Sequence, residues 1–155
     1  MFRALILALL ITIAAPVNAV DLTVDLGKGW MQPDSARIGL SFPVKSWLNL
    51  ETGVLGTNDG TIVDVTPMLH YGKRWYVEGG IGLSLATARD LGELDQSSYL
   101  NFRDVLGVGY HFPNGKWTAG VRYVHYSNGG RLNPIFGTDD NHGYDWFVLH
   151  VRYKF

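Results

Sequence analysis

The segment His125-Tyr126-Ser127-Asn128-Gly129-Gly130 carries an imidazole and a hydroxyl two residues apart, followed by a carboxamide and two residues without side chains. A neutral imidazole within hydrogen-bond reach of a serine can take its proton and later return it to a leaving group, which is the chemistry of nucleophilic acyl transfer. The amides of Asn128, Gly129 and Gly130, with the Asn128 side chain, form a candidate oxyanion hole, because glycine lets the backbone come close to a tetrahedral intermediate. A His-x-Ser pair by itself is more often a histidine beside a solvated serine, so its meaning depends on the element that carries it.

That element reads as a strand. Trp117, Ala119, Val121, Tyr123, His125 and Ser127 share one face; Thr118, Gly120, Arg122, Val124, Tyr126 and Asn128 share the other. The first row is mostly apolar and ends in the two residues of interest. Similar alternation marks about eight segments: Val20 to Gly27, Ala36 to Val44, Trp47 to Leu55, Ile62 to Tyr71, Trp75 to Leu85, Tyr99 to Phe112, Lys116 to Asn128, and Tyr144 to Phe155. Nothing after residue 19 shows helical periodicity, and Gly 19, Tyr 8, Phe 7 and Trp 5 suit an all-β chain.

The connections alternate in length. "PVKS" at 43–46, "YGKR" at 71–74 and "PNGK" at 113–116 are tight, whereas 27–35, 56–61, 87–98 and 129–143 are long and polar. Asn114-Gly115 is the pair a type I′ hairpin turn requires. Short turns at one end, long loops at the other and an even strand number predict an eight-stranded antiparallel transmembrane β-barrel over residues 20–155, with the short turns periplasmic. In the last strand Phe147, Leu149, Val151, Tyr153 and Phe155 oppose Val148, His150, Arg152 and Lys154, a lipid-facing row against a lumen-facing one. A soluble lipocalin-like barrel would turn the apolar row inward instead. Two residues fit poorly. Asp104 falls on the apolar row of the sixth segment and suggests a bulge, and Pro67 suggests a local break in the ladder of the fourth.

The N-terminus predicts the compartment. Met1-Phe2-Arg3, an apolar run from Ala4 to Ala15 and the Val17-Asn18-Ala19 site read as a signal peptide over residues 1–19. With Cys 0 there is no disulfide, thiolate metal site or cysteine nucleophile, and a formal net charge of -1 argues against nucleic acid as a partner.

Within a barrel, the apolar row of the seventh strand faces outward, so His125 and Ser127 meet the outer leaflet, where lipopolysaccharide resides. A following loop symmetric about Phe136 sets Asp145 opposite Ser127 and diagonal to His125, with the outward parity of Phe147. Asp145 would then hold the imidazole, completing a serine–histidine–acid set; Asp139 and Asp140 in the loop are its rivals. The competing reading is a non-catalytic barrel, structural or adhesive, in which these residues are merely interfacial.

"HYSNGG" at 125–130, the preceding "PNGKWTAGVRYV", "YVEGGIGLSL" at 76–85 and "SSYLNFRDVLGVGYHF" at 97–112 resemble the outer-membrane lipid A 3-O-deacylases. The resemblance implies an eight-stranded barrel of the cell outer membrane, surrounded by its lipids, that removes the ester-linked acyl chain at position 3 of lipid A. It implies a Ser-His-acidic triad on the outer wall, with no cofactor and no metal. The family's histidine, serine and asparagine fall on His125, Ser127 and Asn128; where members carry glutamate this chain has Asp145, one methylene shorter, so either the backbone closes the gap or Asp139 or Asp140 serves. Tyr123, Phe147 and the Trp146 region are candidate walls of an acyl groove. A homodimer fits the family, although no stretch of this sequence argues for one.

Overall fold

The computed structural model describes residues 20–29, 34–89, 98–130, 135 and 143–155, so the expected signal peptide lies outside the described residues. Each expected segment becomes one strand: β1 (Asp21–Gly29), β2 (Ser35–Lys45), β3 (Leu48–Gly56), β4 (Thr61–Gly72), β5 (Trp75–Ala86), β6 (Leu100–His111), β7 (Trp117–Ser127) and β8 (Tyr144–Lys154). Every strand pairs antiparallel with its sequence neighbour, and β8 returns to β1 to close the barrel.

The two faces of the wall have opposite chemistry. Ile81, Leu106 and Phe147 are 67%, 67% and 65% exposed on the outside, while Glu51 and Arg103 on the inside are 0% exposed. This is the inverse of a soluble barrel and matches a wall whose outer surface is solvated by lipid. The lumen of eight strands is just wide enough to be filled by side chains. Here charged pairs fill it. Arg122 binds Glu78 (2.6 Å) and Glu51 (2.9 Å), Arg152 binds Glu51 (3.1 Å), and Arg37 binds Asp64 (2.6 Å) and Asp25 (3.3 Å). Toward the long-loop end an apolar plug including Leu55, Ile62, Val124, Tyr126, Tyr144 and Trp146 closes the interior.

Three local expectations resolve differently from one another. Pro67 does interrupt the β4–β5 ladder: pairing runs to Val65↔Leu83 and resumes at Met68↔Gly80, because proline has no N–H to offer. Asp104 causes no bulge; β6 pairs without interruption on both sides of it, so Asp104 is an ordinary strand residue on the outer wall. The β6–β7 turn is not a two-residue type I′ turn. The Gly115 N–H donates to the Phe112 carbonyl (3.0 Å), the Phe112 N–H to the Trp117 carbonyl (3.0 Å), and Asn114 Oδ1 accepts from the Lys116 N–H (3.1 Å). The fixed φ of Pro113 suits the second position of a turn starting at Phe112, which puts Gly115 (φ 71°) at the fourth.

Candidate active site

β7 carries the site because both of its neighbours bring a carboxylate to the same height on the outer wall. His125 lies directly opposite Asp104 of β6 and Asp145 of β8, so the three form a row across three strands. The His125 ring turns to one of them: Nδ1 is 2.8 Å from Asp145 Oδ1, with the two side chains 30% and 36% exposed. With Nδ1–H donated to Asp145, Nε2 carries the lone pair, which is the tautomer a general base needs. Tyr123, two residues back on the same face, donates its hydroxyl to the same Asp145 Oδ1.

The ring is confined from the loop side as well. Gly143 has φ +66°, and a Cβ there would sit 2.6 Å from His125 Cε1, so the residue before β8 must be glycine both for its backbone and for the space the imidazole occupies.

Ser127 shares the outward parity, is the last residue of β7 and is buried, opposite Phe102 of β6. Its Cα is about 6.6 Å from that of His125, two residues along one strand face, within side-chain reach. Among the described residues the hydrogen bond of the His125 ring runs to Asp145, and none joins it to Ser127. Catalytic hydrogen bonds of this kind commonly tighten only when substrate is bound.

The strand ends at Ser127, so Asn128 is free of strand parity; it is buried, and its Oδ1 accepts the Gly130 N–H at 2.8 Å. Gly129 (φ 80°) and Gly130 (φ 54°) both take the left-handed backbone that glycine adopts without strain. Of the three candidate oxyanion amides, that of Gly130 is therefore engaged by Asn128, while those of Asn128 and Gly129 follow the serine directly.

Two expectations about this region change. Asp145 faces His125 itself, and Tyr144 faces Tyr126, so the β7–β8 pairing is offset by two residues from the symmetric-loop estimate. An offset of two preserves the face of every side chain, which is why the outward parity of Asp145 is unaffected. Trp146 is no groove wall: it is fully buried in the lumen, whereas Tyr123 and Phe147 stand on the outside with ring centroids 5.5 Å apart. Asp139 and Asp140 lie outside the described residues.

Three features around His125 escaped the sequence reading: the Tyr123 hydroxyl on Asp145, Gly143 against the ring, and Asp104 directly opposite on β6. A signal for Asp104 was present. Once Phe112 and Trp117 close the tight turn, counting back along the ladder pairs residue 104 with residue 125.

A family model described as Lipid A 3-O-deacylase (PagL) matches residues 18–154. The chain belongs to that family. It is 30% identical over 146 residues to the protein named Lipid A deacylase PagL from Pseudomonas aeruginosa, covering 81% of this chain and 84% of that one. It is 27% identical to the protein of the same name from Bordetella bronchiseptica, covering 88% of this chain and 64% of that one. The crystal structure of the outer membrane enzyme PagL superposes with a TM-score of 0.73 at 25% identity, covering 86% of this chain and 98% of that one. The family's architecture is therefore that of the barrel described above, and the chain is an outer-membrane protein.

Proposed function

We propose that this protein is a lipid A 3-O-deacylase, a serine esterase that hydrolyses the ester-linked acyl chain at position 3 of lipid A in the outer leaflet. The observation that carries this reading is the His125–Asp145 pair at 2.8 Å on the lipid-facing wall, with Ser127 two residues along the same face. Ionisable side chains are expensive on such a wall and are kept there for function. Family membership and the two relatives named lipid A deacylase support the substrate class.

In this reading Ser127 Oγ attacks the ester carbonyl as His125 Nε2 takes its proton, and Asp145 orients and stabilises the imidazolium. The negative oxygen of the tetrahedral intermediate is met by the Asn128 and Gly129 amides and the Asn128 carboxamide, with Gly130 supporting the loop by its bond to Asn128. Collapse expels the sugar 3-hydroxyl, which receives the proton from His125. Water, deprotonated by the same imidazole, then releases the fatty acid from Ser127. No step requires a cofactor. The lipid substrate reaches the site by lateral diffusion, so its acyl chain needs only a surface to lie on, which Tyr123 and Phe147 offer beside the dyad.

The experiment is mass spectrometry of lipopolysaccharide incubated with the purified, refolded barrel. Release of one 3-linked acyl chain by the parent and none by Ser127→Ala is the expected result; equal release by both removes the mechanism. We also read residues 1–19 as a signal peptide cleaved after Ala19, in keeping with β1 beginning at Asp21. N-terminal sequencing of outer-membrane material should begin at Val20.

A further inference from the structure

His125 has two carboxylates to choose from, one on each neighbouring strand, each directly opposite it. Backbone register gives Asp104 and Asp145 the same rank. What distinguishes them is the third residue in contact: Tyr123 donates its hydroxyl to Asp145 Oδ1, the oxygen that also accepts from His125 Nδ1. Tyr123 is opposite Phe147, which makes it the diagonal neighbour of Asp145, a separation that only a long side chain spans. A carboxylate on a lipid-facing wall is stabilised by every donor it receives, and a phenol standing in lipid needs a partner for its hydroxyl. The two requirements meet at one atom.

We propose that Tyr123 is a positioning residue that selects Asp145 over Asp104 as the partner of His125, by clamping the Asp145 carboxylate at the height of the imidazole. A short aspartate side chain has few rotamers that reach a cross-strand ring, and the phenol hydrogen bond holds the productive one. The Tyr123 hydroxyl acts through Asp145 and not on the substrate, whereas its ring, which Tyr123→Phe retains, is the part that faces the acyl chain. The inference rests on the serine esterase reading above.

The test is a double-mutant cycle on the refolded full-length barrel, with steady-state kinetics on lipopolysaccharide in detergent micelles. Tyr123→Phe keeps the ring that packs on Phe147 and loses only the hydroxyl. It should lower kcat about tenfold to a hundredfold, the range of a hydrogen bond to a charged group, and leave KM within about twofold. In an Asp145→Ala background the same substitution should change nothing further, since the group it positions is gone. Three results overturn the proposal: Tyr123→Phe within about twofold of the parent in kcat, a loss confined to KM, or losses that multiply with Asp145→Ala. Ser127→Ala separates the two levels of the reading. If it is inactive while Tyr123→Phe is unaffected, only the positioning role fails; if it is active, the esterase mechanism and the positioning role fall together. Heat-modifiable migration of each variant establishes that the barrel has formed.

Discussion

Among the described residues the barrel contains two histidine–aspartate pairs of the same construction, one on each side of its wall. In the lumen His150 of β8 faces Asp25 of β1 across the ladder, Nδ1 to Oδ1 at 2.6 Å, with the histidine fully buried. On the outside His125 of β7 faces Asp145 of β8 in the same way at 2.8 Å. The surroundings differ. Asp25 also lies 3.3 Å from Arg37 and 3.7 Å from Arg122, and the far nitrogen of His150 meets no hydrogen-bond partner among the described residues. The outer pair has a serine two residues along its own face and is open to the lipid phase. A directly opposed His–Asp pair is thus an easy product of antiparallel register. In the proposed mechanism, a nucleophile beside it and a route for the substrate are what set the outer pair apart from the inner one.

That contrast is broken most directly at the nucleophile. Ser127→Ala and His125→Ala should each reduce acyl release by about a thousandfold or more while the barrel still folds, measured by mass spectrometry beside heat-modifiable electrophoresis. Retained activity in either would leave the outer pair as inert as the inner one and place the chemistry elsewhere on the barrel. Asp145→Ala is expected to cost about a hundredfold or more, because the imidazole then loses its tautomer and its orientation. Asp139→Ala and Asp140→Ala should stay within about threefold of the parent, and the reverse ranking moves the acidic role into the loop. Gly143→Ala sharpens the geometry: the methyl group would meet the His125 ring on a left-handed backbone, so kcat should fall about tenfold with the barrel intact. The smallest effect on turnover belongs to the inner pair. His150→Gln should change activity less than about twofold yet lower resistance to denaturant by about 1–3 kcal/mol, the cost of a lost buried hydrogen bond to a charged group. A large loss of turnover there would show that the lumen communicates with the outer wall.

The two hairpins that flank β7 explain how far the site could be read without coordinates. Between β6 and β7 the turn is tight and has a proline at its second position, so register propagates from Phe112 and Trp117 up to Asp104 and His125, and the pair is countable in principle. Between β7 and β8 the connection from 128 to 143 is long, and assuming it symmetric about residue 136 missed the true pairing by two. The face of Asp145 survived that error because side chains alternate with a period of two, whereas its partner did not. Trp146 shows the same rule from the other side. Its neighbours Asp145 and Phe147 point outward, so by parity it belongs in the lumen and cannot wall a groove on the outer face.

The sequence by itself determined the eight strands, the shared face of Tyr123, His125 and Ser127, and the outward parity of Asp145, since these follow from alternation and turn chemistry along one chain. Only the tertiary structure decided that Asp145 lies across from the imidazole, that Asp104 stands on its other side, that the Tyr123 hydroxyl donates to Asp145, and that the bare backbone of Gly143 leaves room for the ring. Those are relations between strands. They depend on the register imposed by closing the ladder into a barrel and on the rotamers that closure leaves open, neither of which a long loop encodes in its own residues.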